Sequence, residues 1–146
     1  MKIEFASIND EVRIKQLLAE CGLPSEDVTP EHLRNFFILW EGKEIGGVVG
    51  LEILGRFALL RSLAVPVRYR RRGFASQLTS KAEGYAFSLK VNALCLLTTT
   101  AEKFFADRAY QRLDRNAAPA QIKETAEFQS LCPVSSICMV KYLKAT

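Results

Sequence analysis

The hydrophobic residues of the chain recur at two spacings, which together predict strands and helices in a definite order. Residues 3–5 suit a short strand, and a helix is expected to start at Asn9 as its N-cap. The apolar face of this helix is predicted to contain Ile14, Leu17, Leu18 and Cys21. Gly22 and Pro24 follow and are expected to end it.

A meander of three strands is predicted over residues 36–40, 45–54 and 57–65, where apolar residues dominate. The pair Gly55-Arg56 suits a two-residue hairpin turn. Such a turn fixes the register, so that Arg61 lies diagonal to Glu52 on the same face of the sheet. A surface salt bridge and a charged pair lining a substrate cleft both fit this pattern, and we keep both interpretations open.

A long helix is predicted from Gly73, because apolar residues then recur on one helical face. These residues are Phe74, Leu78, Ala82, Tyr85 and Leu89. Residues 93–97 form a continuous apolar run, which is typical of a parallel strand that is buried on both faces. Strand, helix and strand would then form a right-handed crossover unit.

The remaining third of the chain is predicted to add two helices and a closing strand. Thr99 and Glu102 have the spacing of a capping box at a helix start. Pro119 is expected to open a further helix that runs to about Phe128. A last strand is expected over residues 136–143. The order of elements predicts an α/β (α+β) fold, with residues 1–146 as a single domain.

Four arginines precede the long helix, namely Arg68, Arg70, Arg71 and Arg72. A helix N-terminus already carries partial positive charge, so further cations there are unfavourable unless an anion binds. The small residues Gly73 and Ala75 would let a phosphate approach the backbone closely. A solvated basic loop that caps an ordinary amphipathic helix is the alternative.

Charge and cysteine content argue against several classes of protein. The net charge is +4, a figure that the four loop arginines match by themselves, so the charge is local and a general nucleic-acid surface is not expected. Cys21, Cys95, Cys132 and Cys138 form no CxxC pair, which disfavours a zinc site. No signal peptide or membrane-length apolar run is evident, and we expect a cytoplasmic protein without a metal or a membrane partner.

The pattern Arg70-x-x-Gly73-x-Ala75, placed between a strand and a helix, resembles the acetyl-CoA signature of the GCN5-related N-acetyltransferases (GNAT). The resemblance implies a mixed, mostly antiparallel central sheet flanked by helices, with a parallel, splayed central strand pair. It implies acetyl-CoA as co-substrate, with the diphosphate cradled by the loop and the pantetheine arm added along the strand edge. The implied cofactor-binding residues are Leu63, Ala64, Val65, Arg70, Arg71, Arg72, Gly73, Phe74, Ala75, Ser76 and Phe104.

The segment over residues 98–110 departs from the family pattern. Phe105 occupies the place where many members have a tyrosine that is thought to protonate the leaving thiolate, so a phenolic acid is absent there. Segments around Glu52, residues 58–65, residues 96–100 and residues 131–133 resemble the arsenic-resistance N-acetyltransferase branch. Residues 97–99 also resemble N-acetylglutamate synthases. These resemblances imply a small amino-acid-like amine as the acceptor.

The implied reaction is direct attack of a neutral amine on the thioester in a ternary complex. Glu52 is the candidate proton acceptor. Arg61, Thr98, Thr99 and Thr100 are the candidate ligands of the acceptor's carboxylate. A non-catalytic acetyl-CoA sensor and an anion- or RNA-binding module stay as alternative functions. A homodimer is left open as the oligomeric state.

Overall fold

A computed structural model of the chain describes residues 1–143 and contains a seven-stranded sheet with helices on it. The strands are β1 (Lys2–Phe5), β2 (Phe36–Glu41), β3 (Glu44–Leu54), β4 (Phe57–Ala64), β5 (Ala93–Thr98), β6 (Gln111–Arg112) and β7 (Ile137–Tyr142). The helices are α1 (Glu11–Glu20), α2 (Pro30–Leu33), α3 (Phe74–Ser88), α4 (Glu102–Ala106) and α5 (Ala120–Lys123).

The strand order is β1-β2-β3-β4-β5-β7-β6. Strands β1/β2, β2/β3, β5/β7 and β6/β7 pair antiparallel, whereas β4 and β5 pair in parallel. The parallel register runs from Phe57 opposite Ala93 to Leu59 opposite Cys95, although β4 continues to Ala64. The predicted mixed sheet, mostly antiparallel with one parallel central pair, is therefore confirmed.

The chain forms two compact units. The first comprises Met1–Glu52 and Leu60–Tyr85, and the second comprises Ile53–Leu59 and the residues from Ala86 onwards. The first unit has a core in which α1 and α2 pack on strand residues. This core is formed by Ile14, Leu17, Leu18, Val28, Leu33, Phe36, Ile38, Ile45, Val48 and Ala64.

Ile14, Leu17 and Leu18 of the predicted apolar face of α1 are buried, whereas Cys21 lies just beyond the helix end and is half-buried. The predicted start of this helix is wrong. Helix α1 begins at Glu11, after a 3₁₀ turn over Ile8–Asp10. The carboxylate of Asp10 accepts hydrogen bonds from the backbone N–H and the hydroxyl of Ser7, at 2.9 and 3.1 Å. This reciprocal cap turns the chain at Ser7, two residues before the predicted cap at Asn9.

Helix α3 begins at Phe74, one residue after the predicted start at Gly73, and buries Phe74, Leu78 and Ala82. Leu89 was predicted on the same face, but it lies beyond the helix end and is 43% exposed. Gly47 of β3 lies close to this helix, since a Cβ there would come within 2.7 Å of the Leu78 side chain. A glycine is therefore needed for the helix to pack on this strand.

The core of the second unit packs β5 and β7 against the segment after β6. Its buried residues are Leu59, Ala93, Cys95, Ala118, Ile122, Phe128, Cys138 and Val140. Burial raises the pKa of Cys95 to about 12 and that of Cys138 to about 11. Both are therefore protonated thiols at neutral pH. All four cysteines in the described residues are free.

Two helix predictions for the second unit are wrong. No side chain caps α4 in the way that the Thr99/Glu102 spacing predicted, and Ala101 instead holds the N-cap position. The helix expected from Pro119 to Phe128 is split into α5 and a π-helical segment, Glu127–Leu131. The Thr125 hydroxyl donates to the carbonyl of Ile122 at 2.7 Å, and such a back-bond competes with continued α-helix.

No helix within residues 1–143 is both long enough and apolar enough to span a bilayer.

Candidate active site

The loop between β4 and α3 contains two residues in the left-handed region, Arg71 at φ +67° and Gly73 at φ +81°. Such residues within a turn direct successive backbone N–H groups towards one concave side, where an anion can bind. A Cβ at Gly73 would meet no atom within 4 Å, so the space in front of this residue is open. The first turn of α3 follows directly and adds its own N–H groups.

The arginines of this loop have different surroundings. Arg70 turns back, and its Nε donates to the carbonyl of Val65 at 2.9 Å. The guanidinium groups of Arg68 and Arg72 lie 5.0 and 5.4 Å from the ring centre of Tyr69. Arg70 therefore links the two ends of the loop by a hydrogen bond to its backbone. The guanidinium of Arg72 is exposed and stacks on the ring of Tyr69.

Tyr69 is fixed from the β3 side. Its hydroxyl donates to a carboxylate oxygen of Glu44, which also accepts from Arg68 at 3.3 Å. The Tyr69 hydrogen bond and the nearby Arg68 charge lower the pKa of Glu44. The ring of Tyr69 is only 9% exposed.

A charged cluster surrounds Arg61 of β4. Arg61 Nη1 donates to Glu52 Oε2 at 2.9 Å and to Asp27 Oδ2 at 2.5 Å, and Nη2 donates to Asp27 Oδ1 at 2.7 Å. The Arg61 side chain has no exposed area, whereas those of Asp27 and Glu52 are 16% and 11% exposed. The contact between Glu52 and Arg61 that the Gly55-Arg56 turn predicted is confirmed, and that turn lies between β3 and β4 as expected.

The Asp27 carboxyl is held ionised. Burial by itself opposes its ionisation, but the hydrogen bonds and the positive charge of Arg61 outweigh burial, so the pKa of Asp27 lies below its ordinary value. Asp27 precedes α2, in a stretch without hydrophobic periodicity, and the sequence analysis did not identify it. Only a search for a partner to a buried arginine could have indicated it.

Next to Arg61, Ser62 adopts φ +59° within the strand. This conformation is strained for a residue with a side chain, at a cost of about 1–3 kcal/mol. Arg61 Nε donates to the Ser62 hydroxyl at 3.0 Å. The left-handed residue Ser62 therefore lies beside the charged cluster, and its hydrogen bond with Arg61 helps to stabilise this conformation.

His32 of α2 lies beside the same cluster, with its Nε2 3.8 Å from Glu52 Oε1. Thr29 caps this short helix in both directions: the backbone N–H of His32 donates to Thr29 Oγ1, and the backbone N–H of Thr29 donates to His32 Nδ1, each at 3.3 Å. The His32 side chain is 28% exposed.

Asp27, His32 and Glu52 each offer one metal-ligating atom, and these atoms all lie within 4.8 Å of one another. Both oxygens of Asp27 and Oε2 of Glu52, however, already accept hydrogen bonds from the Arg61 guanidinium. Since the buried Arg61 cation already pairs with both carboxylates, we assign the cluster to ion pairing.

The predicted site residues of the second unit lie at the end of β5 and in α4. Thr98 is buried, and its hydroxyl accepts from the backbone N–H of Ala101 at 3.0 Å, while Thr99 and Thr100 are exposed. Phe104 is half-buried, with the Arg108 guanidinium 3.7 Å from its ring centre.

Phe105 is 6% exposed and packs against two aromatic rings. Its ring centre lies 5.0 Å from that of Phe104 and 5.3 Å from that of Tyr110. The residue that stands in place of the family's tyrosine is therefore part of an aromatic cluster.

Comparison with known proteins identifies the family. A profile of the acetyltransferase (GNAT) family matches residues 8–114. An uncharacterized N-acetyltransferase from Chlorobaculum tepidum is 30% identical over 115 residues, which are 77% of this chain and 74% of that protein. The chain therefore belongs to the GNAT family of acetyltransferases. That it belongs to the arsenic-resistance branch of this family stays a prediction.

Solved structures share the fold. The N-acetylglutamate synthase of Neisseria gonorrhoeae, complexed with coenzyme A and N-acetyl-glutamate, matches with a TM-score of 0.85 at 21% identity, over 99% of this chain and 35% of that one. A Mycobacterium tuberculosis protein in complex with CoA gives a TM-score of 0.82 at 17% identity, over 99% and 100% of the two chains. This chain thus spans about a third of the synthase.

Proposed function

We propose that this protein transfers an acetyl group from acetyl-CoA to the primary amine of a small, amino-acid-like acceptor. The observation that carries the proposal is the loop before α3, in which Arg71 and Gly73 adopt left-handed conformations in a member of the GNAT family. A turn of this kind in front of a 15-residue helix suits the diphosphate of CoA.

The cofactor site that we propose has two parts, both in the first unit. The backbone from Arg71 to Ser76 binds the diphosphate, and the exposed guanidinium groups of Arg71 and Arg72 add charge-assisted hydrogen bonds. The edge of β4 over residues 63–65 binds the pantetheine arm as an added strand would. Phe104 belongs to the second unit, and its role in cofactor binding stays a prediction.

Glu52 is proposed as the group that takes the proton from the attacking amine. An amine is protonated at neutral pH and must be neutral to attack the thioester, so a base in the site contributes roughly 10²–10⁴ in rate. The Glu52 side chain is 11% exposed and accepts a hydrogen bond from the Arg61 guanidinium, so it is held in place with part of its surface accessible. Backbone N–H groups stabilise the oxyanion as the thiolate leaves.

The role first predicted for Arg61 has to change. Its guanidinium has no exposed area and already donates to Asp27, Glu52 and Ser62, so it is badly placed to bind the carboxylate of an incoming acceptor. We propose instead that Arg61 holds Glu52. The exposed Thr99 and Thr100 are kept as candidate ligands of that carboxylate, while the buried Thr98 hydroxyl caps Ala101.

An amino-acid-like acceptor is supported by the neighbouring structure that contains N-acetyl-glutamate together with coenzyme A. The sequence segments that resemble N-acetylglutamate synthases support the same class. We keep the acceptor at the level of this class, and a homodimer and a cytoplasmic location stay predictions.

A non-catalytic acetyl-CoA sensor is the second candidate, and the aromatic packing of Phe105 favours it, because no phenolic acid stands there to protonate the thiolate. We do not propose RNA binding. The ring of Tyr69, the one aromatic residue among the loop arginines, is covered by Arg68 and Arg72 and is not free to stack on a base.

An assay of thiol release from acetyl-CoA, with the common amino acids tested singly, separates these candidates. The proposed enzyme releases thiol only when an amine is present, whereas a sensor binds acetyl-CoA without release.

A further inference from the structure

The carboxylate of Glu52 faces a different donor at each of its oxygens. Oε2 accepts from Arg61 Nη1 at 2.9 Å, and Oε1 lies 3.8 Å from His32 Nε2. The two contacts come from different elements, since Arg61 belongs to β4 and His32 to α2. Arg61 therefore fixes one oxygen of this carboxylate by a hydrogen bond, and His32 is the side chain that faces the other.

The contact at Oε2 is rigid. Asp27 receives two hydrogen bonds from the Arg61 guanidinium, at 2.5 and 2.7 Å, and Ser62 receives a third from Nε. A bidentate pair of this kind fixes the plane of the guanidinium as well as its position. Arg61 is fully buried, so Nη1 has a single direction in which to present its hydrogen to Glu52.

The contact at Oε1 is set by the helix cap. The backbone N–H of Thr29 donates to His32 Nδ1 at 3.3 Å, and the Thr29 hydroxyl lies 3.1 Å from the same nitrogen, to which it can donate as well. With Nδ1 as the acceptor of the backbone N–H, the hydrogen of a neutral ring is carried by Nε2. Nε2 is the atom that faces Glu52. We infer the tautomer from this hydrogen bond, because an N–H can donate only to a ring nitrogen with a free lone pair.

We propose that His32 is a positioning residue for Glu52: its Nε2–H, together with the Asp27–Arg61 pair, holds the Glu52 side chain in one orientation. The inference rests on the proposed function, in which Glu52 accepts the proton of the amine. Each oxygen of Glu52 keeps a second lone pair for that proton. Neither His32 nor Asp27 contacts the reacting atoms in this account.

The separation of 3.8 Å is longer than a hydrogen bond, and active-site hydrogen bonds commonly shorten when substrate binds. Both groups have part of their surface exposed, so they retain room to approach one another. An isolated surface contact at this distance would contribute little to stability, which is why the effect of His32 should be seen in turnover.

Two substitutions that each replace the His32 ring by an amide test the proposal. In His32→Gln the amide nitrogen lies near the position of Nε2 and keeps an N–H towards Glu52, whereas in His32→Asn the amide lies near Nδ1 and cannot reach it. We expect His32→Asn to lower kcat about tenfold, with the KM for acetyl-CoA unchanged, and His32→Gln to stay within about threefold of wild type. Equal kcat values for the two variants, or an effect confined to KM, would overturn the proposal.

The rate is measured with whichever amine of the amino-acid panel wild type acetylates fastest. If wild type turns over no amine, the proposed function fails, and this inference fails with it. If wild type is active and both variants match it, only the inference fails. The two failures are thus distinguishable.

A second measurement is made on the wild-type protein and requires neither a substrate nor a variant. His32 is the only histidine of the chain, so its ring nitrogens give unique signals in a ¹H–¹⁵N correlation spectrum. We expect the neutral ring to carry its hydrogen on Nε2. A ring with its hydrogen mainly on Nδ1 would overturn the geometry on which the proposal depends.

Discussion

Arg61 donates to Glu52 from the neighbouring strand, and the donating guanidinium is completely buried while the accepting carboxylate keeps a small exposed area. This asymmetry defines their roles. The arginine is inaccessible to a substrate, but the carboxylate that it holds is not. Arg61 is therefore the supporting residue of this pair, and Glu52 is the candidate base.

Replacement of Glu52 by Gln should lower kcat by at least about a hundredfold, since the amide cannot accept the proton of the amine. The affinity for acetyl-CoA, measured by isothermal titration, should hardly change. Glu20→Gln, at an exposed position of α1, is the matched control and should turn over like wild type. Near wild-type turnover of Glu52→Gln across the pH range would show that the pair with Arg61 is purely structural.

Asp27 should make the stability of the fold sensitive to acid. A folded-state pKa below the ordinary value means stabilisation that is complete above about pH 4 and is lost as the pH falls through the lower folded value. We expect Asp27→Asn to be less stable than wild type at pH 7, and its free energy of unfolding to fall less steeply below pH 4. Urea unfolding at a series of pH values measures this.

The control for Asp27 is Asp107→Asn, on an exposed side chain. An acid dependence in Asp27→Asn as steep as that of wild type would contradict the assigned ion pair with Arg61.

Two glycines should respond to alanine in opposite directions. A Cβ at Gly50 would lie 2.3 Å from the ring of the fully buried Phe36, so Gly50→Ala should lower the free energy of unfolding by about 1–3 kcal/mol. Gly84 lies in α3 with no atom within 4 Å of a Cβ, and Gly84→Ala should raise it by up to about 1 kcal/mol. Equal effects in denaturant unfolding would be inconsistent with this packing.

Gly73→Val should weaken acetyl-CoA binding by at least about tenfold, or 1.4 kcal/mol. Its φ of +81° disfavours a β-branched residue, and the new side chain would enter the space where the diphosphate is proposed to lie. Gly42→Val introduces similar backbone strain, at φ +62°, in the β2–β3 turn and should leave the affinity unchanged. Equal affinities of the two variants by titration calorimetry would remove the loop from the cofactor site.

Local signals predicted much of the fold. The pair Gly55-Arg56 predicted a turn, which lies between β3 and β4, and a contact between Glu52 and Arg61, which is present. The helix after Pro119 was predicted too long, because the competing bond from the Thr125 hydroxyl is not visible in hydrophobic spacing.

The rest of the charged cluster depends on contacts that are distant in sequence. Asp27 lies 34 residues from Arg61, in a segment without regular periodicity, and His32 meets Glu52 only because α2 packs near β3. Neither pairing leaves a pattern in the sequence. Ser62 shows the same limit, since its left-handed conformation has no signature in its residue type.

The most direct test of the account is acetyl transfer itself. Purified protein is incubated with acetyl-CoA and each amino acid in turn, and thiol release is measured alongside mass spectrometry of the amine. The account predicts thiol release that requires an amine, a product heavier by one acetyl group, and loss of both in Glu52→Gln. Binding of acetyl-CoA with no thiol release for any amine would contradict it.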